Sequence, residues 1–272
     1  DSIKQWFGEI TVKYRDKDGK YVTNPTDAGT YTVVLDVAAG DGYEAQTNIT
    51  CDDWKFTINQ VPQELHFTCP TVNKMYGEAS FTNPLKETGI QGTITYTSSN
   101  ENVAKVAADG TVTILAATEG TVTIAARTEG TTNYSSAEAT FTLTVAKKPI
   151  DLDVTLDCGE GFVYDGMAKK PGVTVNFKDT TTPLPTNEYT VSYSNNIDAS
   201  IGNRDGIVTI ASTRTGNYTF GAGYYHFNIA PKKLTMGASV TEKKYDGLTD
   251  AVVKPGTLVG IVNSDDVCVV ET

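Results

Sequence analysis

Apolar and polar residues alternate with a period of two through most of this chain, and no ten-residue stretch shows the 3.6-residue spacing of an amphipathic helix. Tyr31, Val33, Leu35 and Val37 fall on one side of an extended segment, with Thr32, Val34 and Asp36 on the other. Phe141, Leu143 and Val145 oppose Thr140, Thr142 and Thr144 in the same way, and Tyr189, Val191 and Tyr193 oppose Thr190, Ser192 and Ser194. One apolar face and one Thr/Ser face suit an antiparallel sheet that is wet on one side. Two such sheets must meet face to face to bury their apolar stripes, so the pattern predicts an all-β chain of antiparallel β-sandwiches. Roughly fifteen inward residues per unit, at about 2 kcal/mol for each large apolar side chain, suffice for independent folding.

The strands come in repeats. Pro62-x-x-Leu65, Pro149-x-x-Leu152 and Pro231-x-x-Leu234 each follow an alternating strand, at separations of 87 and 82 residues. Eleven or twelve residues after each leucine stands a tyrosine-glycine turn: Tyr76-Gly77, Tyr164-Asp165-Gly166 and Tyr245-Asp246-Gly247. The closing halves agree as well. Gly29-Thr-Tyr-Thr-Val33, Gly120-Thr-Val-Thr-Ile124 and Gly206-Ile-Val-Thr-Ile210 begin strands, each followed by a turn tyrosine at Tyr43, Tyr134 or Tyr218. Final strands follow at Phe56-Thr-Ile58, Phe141-Thr-Leu-Thr-Val145 and Phe227-Asn-Ile229.

A period in the eighties is a whole sandwich rather than a solenoid repeat. The expected division is therefore 1–60 as a partial unit, 61–147 and 148–231 as complete units, and 232–272 as a partial one. Each junction is a few residues long with one proline and no Gly/Ser tract, so the sandwiches are expected end to end as a rod. The chain opens partway through one repeat and stops partway through another, so it reads as a fragment, with any secretion signal or anchor outside it.

The third unit resembles a repeat common in bacterial surface proteins, of the types called MBG and YDG. The matching residues are Tyr164-Asp165-Gly166, Val173-Thr-Val175, Tyr189-Thr-Val-Ser-Tyr-Ser-Asn-Asn196, Gly216-Asn217-Tyr218 and Phe227-Asn-Ile229. The fourth looks like the start of a YDG repeat, through Tyr245-Asp246-Gly247 and Leu258-Val-Gly260. The second is similar to bacterial immunoglobulin-like domains of group 2, on Ile94-Thr-Tyr-Thr-Ser-Ser-Asn100, Val103-Ala-Lys-Val106, Asp109-Gly-Thr-Val-Thr113 and Gly120-Thr-Val-Thr-Ile124. The first is MBG-like, on Ala28-Gly-Thr-Tyr-Thr-Val33 and Gly42-Tyr43. The resemblance implies tandem immunoglobulin-like sandwiches on the bacterial surface, acting as stalks, spacers or adhesive tips, and it brings no catalytic residues with it. Some mucin-binding surface repeats form a β-grasp with a helix across the sheet; the lack of an amphipathic helix here favours the sandwich.

Composition narrows the partners. A net charge of −11 over 272 residues argues against nucleic acid, which needs clustered Lys and Arg, and against anionic lipid. A surface protein or glycan of host or microbe remains the expected partner, and a monomer the expected state. No apolar run is long enough to span a membrane. Cys51, Cys69, Cys158 and Cys268 show no C-x-x-C spacing. Cys51 and Cys69 could bridge the first junction, or all four could be separate thiols.

Candidate chemistry is sparse. His66 and His226, the two histidines, both sit between apolar residues on alternating strands and are expected to face solvent, away from any nucleophile-acid pattern. Adjacent carboxylates at Asp52-Asp53 and Asp265-Asp266 cannot face one another across a substrate. No catalytic residue, cofactor or metal site is therefore expected. Asp16-Lys-Asp-Gly19 has the oxygen spacing of a short calcium loop but lacks later ligands and reads as a hairpin turn, as do the Asp-Gly pairs beginning at Asp41, Asp109 and Asp205. Three Asn-x-Ser/Thr sequons, at Asn48, Asn133 and Asn217, read as coincidences of a Thr-rich chain. The tyrosine-glycine openers read as conformational, glycine supplying the turn and tyrosine plugging the end of a sandwich. What remains is Tyr224 with His226, expected on the face opposite Tyr225 and Phe227, where an exposed aromatic and an imidazole could contact a sugar or a protein. A carbohydrate-binding module of a glycan-utilisation protein is thus the alternative to a stalk.

Overall fold

In the computed structural model, residues 8–202, 205–263 and 265–267 are described. They are strands and turns, with one 3-10 turn at Thr186–Glu188 and no α-helix among them. The chain divides into two compact units, Asp1–Ala146 and Lys147–Thr272.

The first unit begins with one sheet of five strands: β1 (Ile10–Arg15), β2 (Tyr21–Val22), β3 (Gly29–Val37), β4 (Gln46–Ile49) and β5 (Lys55–Ile58). β3 is central; β1 runs antiparallel along one edge, while β5 and then β4 share the other. The register puts Ile10 across from Val37, Val12 from Leu35, Tyr14 from Val33 and Phe56 from Tyr31, so all of these share one apolar face. Among the described residues, no second sheet covers that face. Among these residues Tyr31 alone is buried, and Val12 is 50% exposed. The expected alternation is present in the backbone, but its burial is not. The fully buried residue of β3, besides Tyr31, is Val34 on the other face, between Lys13 opposite it and Asp36 two residues on.

The rest of this unit is a sandwich of β6 (Glu64–Phe67), β7 (Thr71–Met75), β8 (Phe81–Thr82), β9 (Leu85–Thr88), β10 (Ile94–Ser98), β11 (Ala104–Val106), β12 (Thr111–Ile114), β13 (Val122–Thr128) and β14 (Ala137–Ala146). One layer has the order β10-β13-β14-β7; the other contains β11-β12-β8 and the β6–β9 pair. Val122, Ile124, Phe141, Leu143 and Val145 from the first layer meet Val103, Ala104 and Val112 from the second in one core, joined by Phe67 and Tyr76. Here the alternation does decide burial: Phe141, Leu143 and Val145 are all inside. The opening strand is split in immunoglobulin fashion, β6 pairing with β9 while β7 crosses over to run parallel to β14.

The second unit repeats this plan with β15 (Lys148–Pro149), β16 (Leu152–Asp157), β17 (Phe162–Val163), β18 (Gly172–Phe177), β19 (Tyr189–Ser194), β20 (Gly206–Ser212), β21 (Tyr218–Thr219), β22 (Gly223–Phe227) and β23 (Ile229–Ala230). β16 pairs with β18, β17 runs parallel to β23, and β19-β20-β22 form the opposing antiparallel sheet. The β16–β18 ribbon contributes Leu152, Val154, Leu156, Val173, Val175 and Phe177 to a core that it shares with Val208, Ile210, Phe227, Tyr189 and Tyr193. Val191 departs from the expected alternation and is 37% exposed. The unit ends in a ribbon of β24 (Thr235–Val240) and β25 (Val253–Val259), with a bulge between Met236 and Ala238. All of β24 is exposed.

Several sequence landmarks now have physical reasons. Gly77, Gly166 and Gly247 all adopt positive φ, at 85°, 77° and 78°, so each tyrosine-glycine opener needs its glycine. Tyr76 and Tyr164 pack against their cores as plugs. Tyr245 does not: it is 98% exposed, because no opposing sheet faces it among the described residues. The pair at Asp205 is not a hairpin turn. Gly206 starts β20 without positive φ, and a Cβ there would lie 2.4 Å from the Phe227 ring, so this glycine makes room for a core aromatic. Cys51 and Cys69 are exposed free thiols, not a bridge; Cys158 is free as well, and Cys268 lies outside the described residues.

The strand entering each sandwich docks on its Asn-Tyr turn. Val61 forms a parallel bridge with Tyr134: its N–H donates to the Asn133 carbonyl (2.8 Å) and its own carbonyl accepts from Ser135 N–H (3.0 Å). β15 does the same on β21, with Lys148 N–H donating to the Asn217 carbonyl (2.9 Å) and Ile150 N–H to the Thr219 carbonyl (3.0 Å). Behind the second of these turns sits Glu188, only 2% exposed, whose Oε2 accepts from the backbone N–H groups of Asn217 (2.6 Å) and Tyr218 (3.2 Å). A Cβ on Gly216 would approach that oxygen to 2.3 Å, so glycine is needed for the carboxylate to reach the turn. Buried charge-assisted bonds of this kind are costly to lose. Glu188→Ala is expected to lower the unfolding free energy of the second unit by about 2–3 kcal/mol, and Glu188→Gln by less, in urea titrations followed by tyrosine fluorescence. An unchanged Glu188→Ala midpoint would show that the turn is held by other contacts.

Candidate functional site

The outer face of β19-β20-β22 carries both residues singled out from the sequence. Along β22, Gly223 to Phe227, exposure alternates so that Tyr224 and His226 face solvent while Tyr225 and Phe227 turn to the core. In register, Thr209 lies beside Tyr224 and Ile207 beside His226, with Ser192 and Ser194 next to them on β19. Tyr224 is 66% exposed. The patch is thus an aromatic and an imidazole on one side of a strand, over a floor of hydroxyls and one isoleucine. Such a surface can stack on a sugar ring or take part in a protein contact. A groove of about 450 Å³ lies elsewhere, along β1 and β2, lined by Val12, Tyr14, Tyr21, Val22 and Asn24 among others.

The remaining candidates resolve as structure. His66 is exposed on β6, between buried Leu65 and half-buried Phe67, and lies 3.8 Å from the Glu64 carboxylate. Asp16 Oδ1 accepts from the N–H groups of Asp18 (3.0 Å) and Lys20 (2.9 Å), closing a tight turn with Gly19 at φ 79°. Among the described residues, no three His, Cys, Asp or Glu side chains cluster so as to hold a metal ion. The Asn133 amide of the second sequon is occupied: Oδ1 accepts from Ala28 N–H (2.6 Å) and Nδ2 donates to Asp27 (2.9 Å). The Asn195-Asn196 end of the Tyr-Thr-Val motif is structural too. Asn196 exchanges bonds with the backbone of Lys169, its side chain donating at 2.8 Å, and Tyr193 Oη donates to the Pro171 carbonyl (3.1 Å).

One cluster was not foreseen. On the polar face of the first sheet, Lys13 and Arg15 of β1, Tyr21 of β2, Asp36 of β3 and Asn48 of β4 form a connected lattice. Lys13 pairs with Asp36, and Arg15 Nη2 donates to Tyr21 Oη and to Asn48 Oδ1, the latter at 3.0 Å. Asn48, at φ 59°, donates its backbone N–H to Asp36 (2.8 Å), and the Arg15 guanidinium lies 4.6 Å from the Tyr21 ring centre. The one sequence signal for it was the i, i+2 spacing of Lys13 and Arg15. Its other members come from strands that meet only through pairing. The Lys13 ammonium and then the Asn48 N–H hold the Asp36 carboxyl below its ordinary 3.8, and Asp36 in turn raises Lys13 above 10.5. Lys13 and Asp36 pair with each other and Arg15 Nη2 is taken up by Tyr21 and Asn48, while Arg15 Nε is buried without a hydrogen-bond partner.

No family model and no curated protein matches the chain. Solved structures do. An S-layer protein, rSbsC, is 16% identical over 93% of this chain and 44% of its own, with a TM-score of 0.25. The first five immunoglobulin domains of Sidekick-1 are 15% identical over 86% of this chain and 54% of theirs, with a TM-score of 0.22. Domains 4–9 of surface layer protein SbsC are 18% identical over 86% of this chain and 44% of theirs, with a TM-score of 0.25. The chain therefore spans about half the length of the structures it matches.

The Asp36 linkage has a definite sign. A carboxyl held low in the folded state stabilises above its unfolded pKa, and that contribution is lost as pH falls through the folded value. The first unit's melting temperature is expected to drop as pH is lowered through and below the ordinary carboxylate value of 3.8, and Asp36→Asn to flatten that part of the profile while lowering the neutral plateau. An Asp36→Asn profile parallel to wild type in calorimetry would rule the lattice out as the cause.

Proposed function

We infer that this chain is a non-catalytic structural module of a bacterial cell-surface protein, working outside the cell as a spacer or adhesin stalk. The observation that carries this reading is where the recurring motifs go. Tyr-x-Gly openers supply turns and plugs, the Asn-Tyr turns receive entering strands, and Asn196 and Tyr193 fasten β19 to the neighbouring backbone. Residues dense in hydrogen-bonding groups are thus directed at the backbone that holds the sandwiches together. A net charge of −11 favours solubility of such a module. No helix among the described residues is long and apolar enough to cross a membrane. In small-angle X-ray scattering, a spacer gives the distance distribution of an elongated particle; a symmetric, compact distribution would overturn the spacer assignment.

The second reading, a carbohydrate-binding module, rests on Tyr224 and His226 sharing an open face. It predicts a signal on a glycan array that Tyr224→Ala abolishes, with thermal stability changed by no more than about 0.5 kcal/mol because the side chain is outside the core. An array without signal for the wild-type chain removes this reading and leaves the spacer intact.

A further inference from the structure

The Asn-Tyr turn between β13 and β14 does more than receive Val61. Its polar side chains and carbonyls also hold residues that come before Val61 in the chain. Asn133 Oδ1 accepts from Ala28 N–H (2.6 Å) while its Nδ2 donates to Asp27 Oδ1 (2.9 Å), so one side-chain amide clasps the loop between β2 and β3 through two adjacent residues. That loop is braced from its own sheet, because the Asp27 carbonyl accepts from Oη of buried Tyr31 (2.9 Å). Gln60, the last residue before the entering strand, donates Nε2 to the carbonyls of Thr131 (2.9 Å) and Thr132 (3.3 Å) in the same turn. Gln63, only 6% exposed, fixes the turn from within: it donates to the Ser135 carbonyl and accepts from Gln91 N–H (2.6 Å).

Two bodies joined by a short linker alone remain free to swing about it, and relative motion is the ordinary state of small, polar contacts between domains. Here the linker is flanked by side-chain bonds at Asn133 and at Gln60, which oppose swinging in different directions. The β1–β5 sheet and the sandwich accordingly belong to one compact unit. The entry to the second sandwich uses the same reach with different chemistry. Lys147 stands to Lys148 as Gln60 stands to Val61, and its Nζ donates to the Thr213 carbonyl (2.6 Å), just ahead of the Asn217-Tyr218 turn on which β15 docks.

We propose that the Asn-Tyr turn is the seat of a rigid joint, in which Asn133 and Gln60 lock the β1–β5 sheet to the sandwich that follows it. The partner this surface recognises is the β2–β3 loop of the preceding unit, read through one backbone N–H and one carboxylate. Asn133 is then a joint residue rather than an idle sequon. The joint stands or falls separately from the spacer reading, which scattering tests.

Pulsed electron paramagnetic resonance on the full chain tests it. Cys51 and Cys69, exposed thiols on either side of the junction, carry the spin labels, with Cys158→Ser and Cys268→Ser removing the other thiols. A single narrow distance distribution is expected. Asn133→Ala combined with Gln60→Ala is expected to broaden it at least about twofold, as independent domain motion returns. Asp27→Ala breaks the clasp from an exposed loop position, away from the sandwich core, and is expected to broaden it as well. In parallel, hydrogen exchange at the Ala28 amide is expected to quicken at least about tenfold in Asn133→Ala, since that amide loses its acceptor. A broad distribution in the parent chain overturns the proposal. A narrow one that survives in all the variants, or Ala28 exchange that Asn133→Ala leaves unchanged, overturns it too.

Discussion

A sheet with one apolar face is stable when another layer takes that face out of water, and this requirement governs every part of the chain. In the two complete sandwiches it is met: Ile124 and Leu143 in one, Val208 and Ile210 in the other, are sealed between layers. Each such side chain contributes about 2 kcal/mol by leaving water, so a handful of them outweighs any surface ion pair in the molecule. In the β1–β5 sheet and the β24–β25 ribbon no second layer covers the apolar side among the described residues, and Val12 and Val240 are exposed. The same sequence pattern therefore yields a core in one place and an exposed face in another.

Closing a sandwich also demands that its first strand find its place. That strand is short, carries a proline and has little burial of its own, so backbone pairing must position it. The Asn-Tyr turn provides the template in both complete sandwiches. In the second unit Glu188 anchors the turn from behind with a buried carboxylate. Sequence repeats that look like binding motifs thus have their polar groups directed at the chain itself. The Tyr224–His226 face and the Lys13–Asn48 lattice, by contrast, belong to no repeat.

Legibility followed the range of the interaction. Strand positions, the Phe141–Val145 alternation and the outward aim of Tyr224 and His226 were readable, because a period of two is enforced within a strand by the backbone itself. Glu188 was not readable. It is one acid in the polar tract Thr186-Asn187-Glu188, and only the approach of Gly216 some thirty residues later gives it partners. Gly206 resembled a turn glycine in Asp205-Gly206, until the Phe227 ring, arriving from β22, showed why no side chain fits. Tyr245 repeats the opener of its neighbours and yet stands in solvent, since a plug needs an end to close.

The sequence by itself determined the all-β class, the repeating landmarks, the glycine-dependent turns and the two faces of most strands. These depend on φ/ψ preference and strand geometry, which act between residues a few positions apart. Only the tertiary structure decided which faces are covered, what the Asn-Tyr turns hold, and which charges meet in the first sheet. Those outcomes depend on pairings between segments tens of residues apart, and burial is a property of what lies opposite a side chain rather than of the side chain alone.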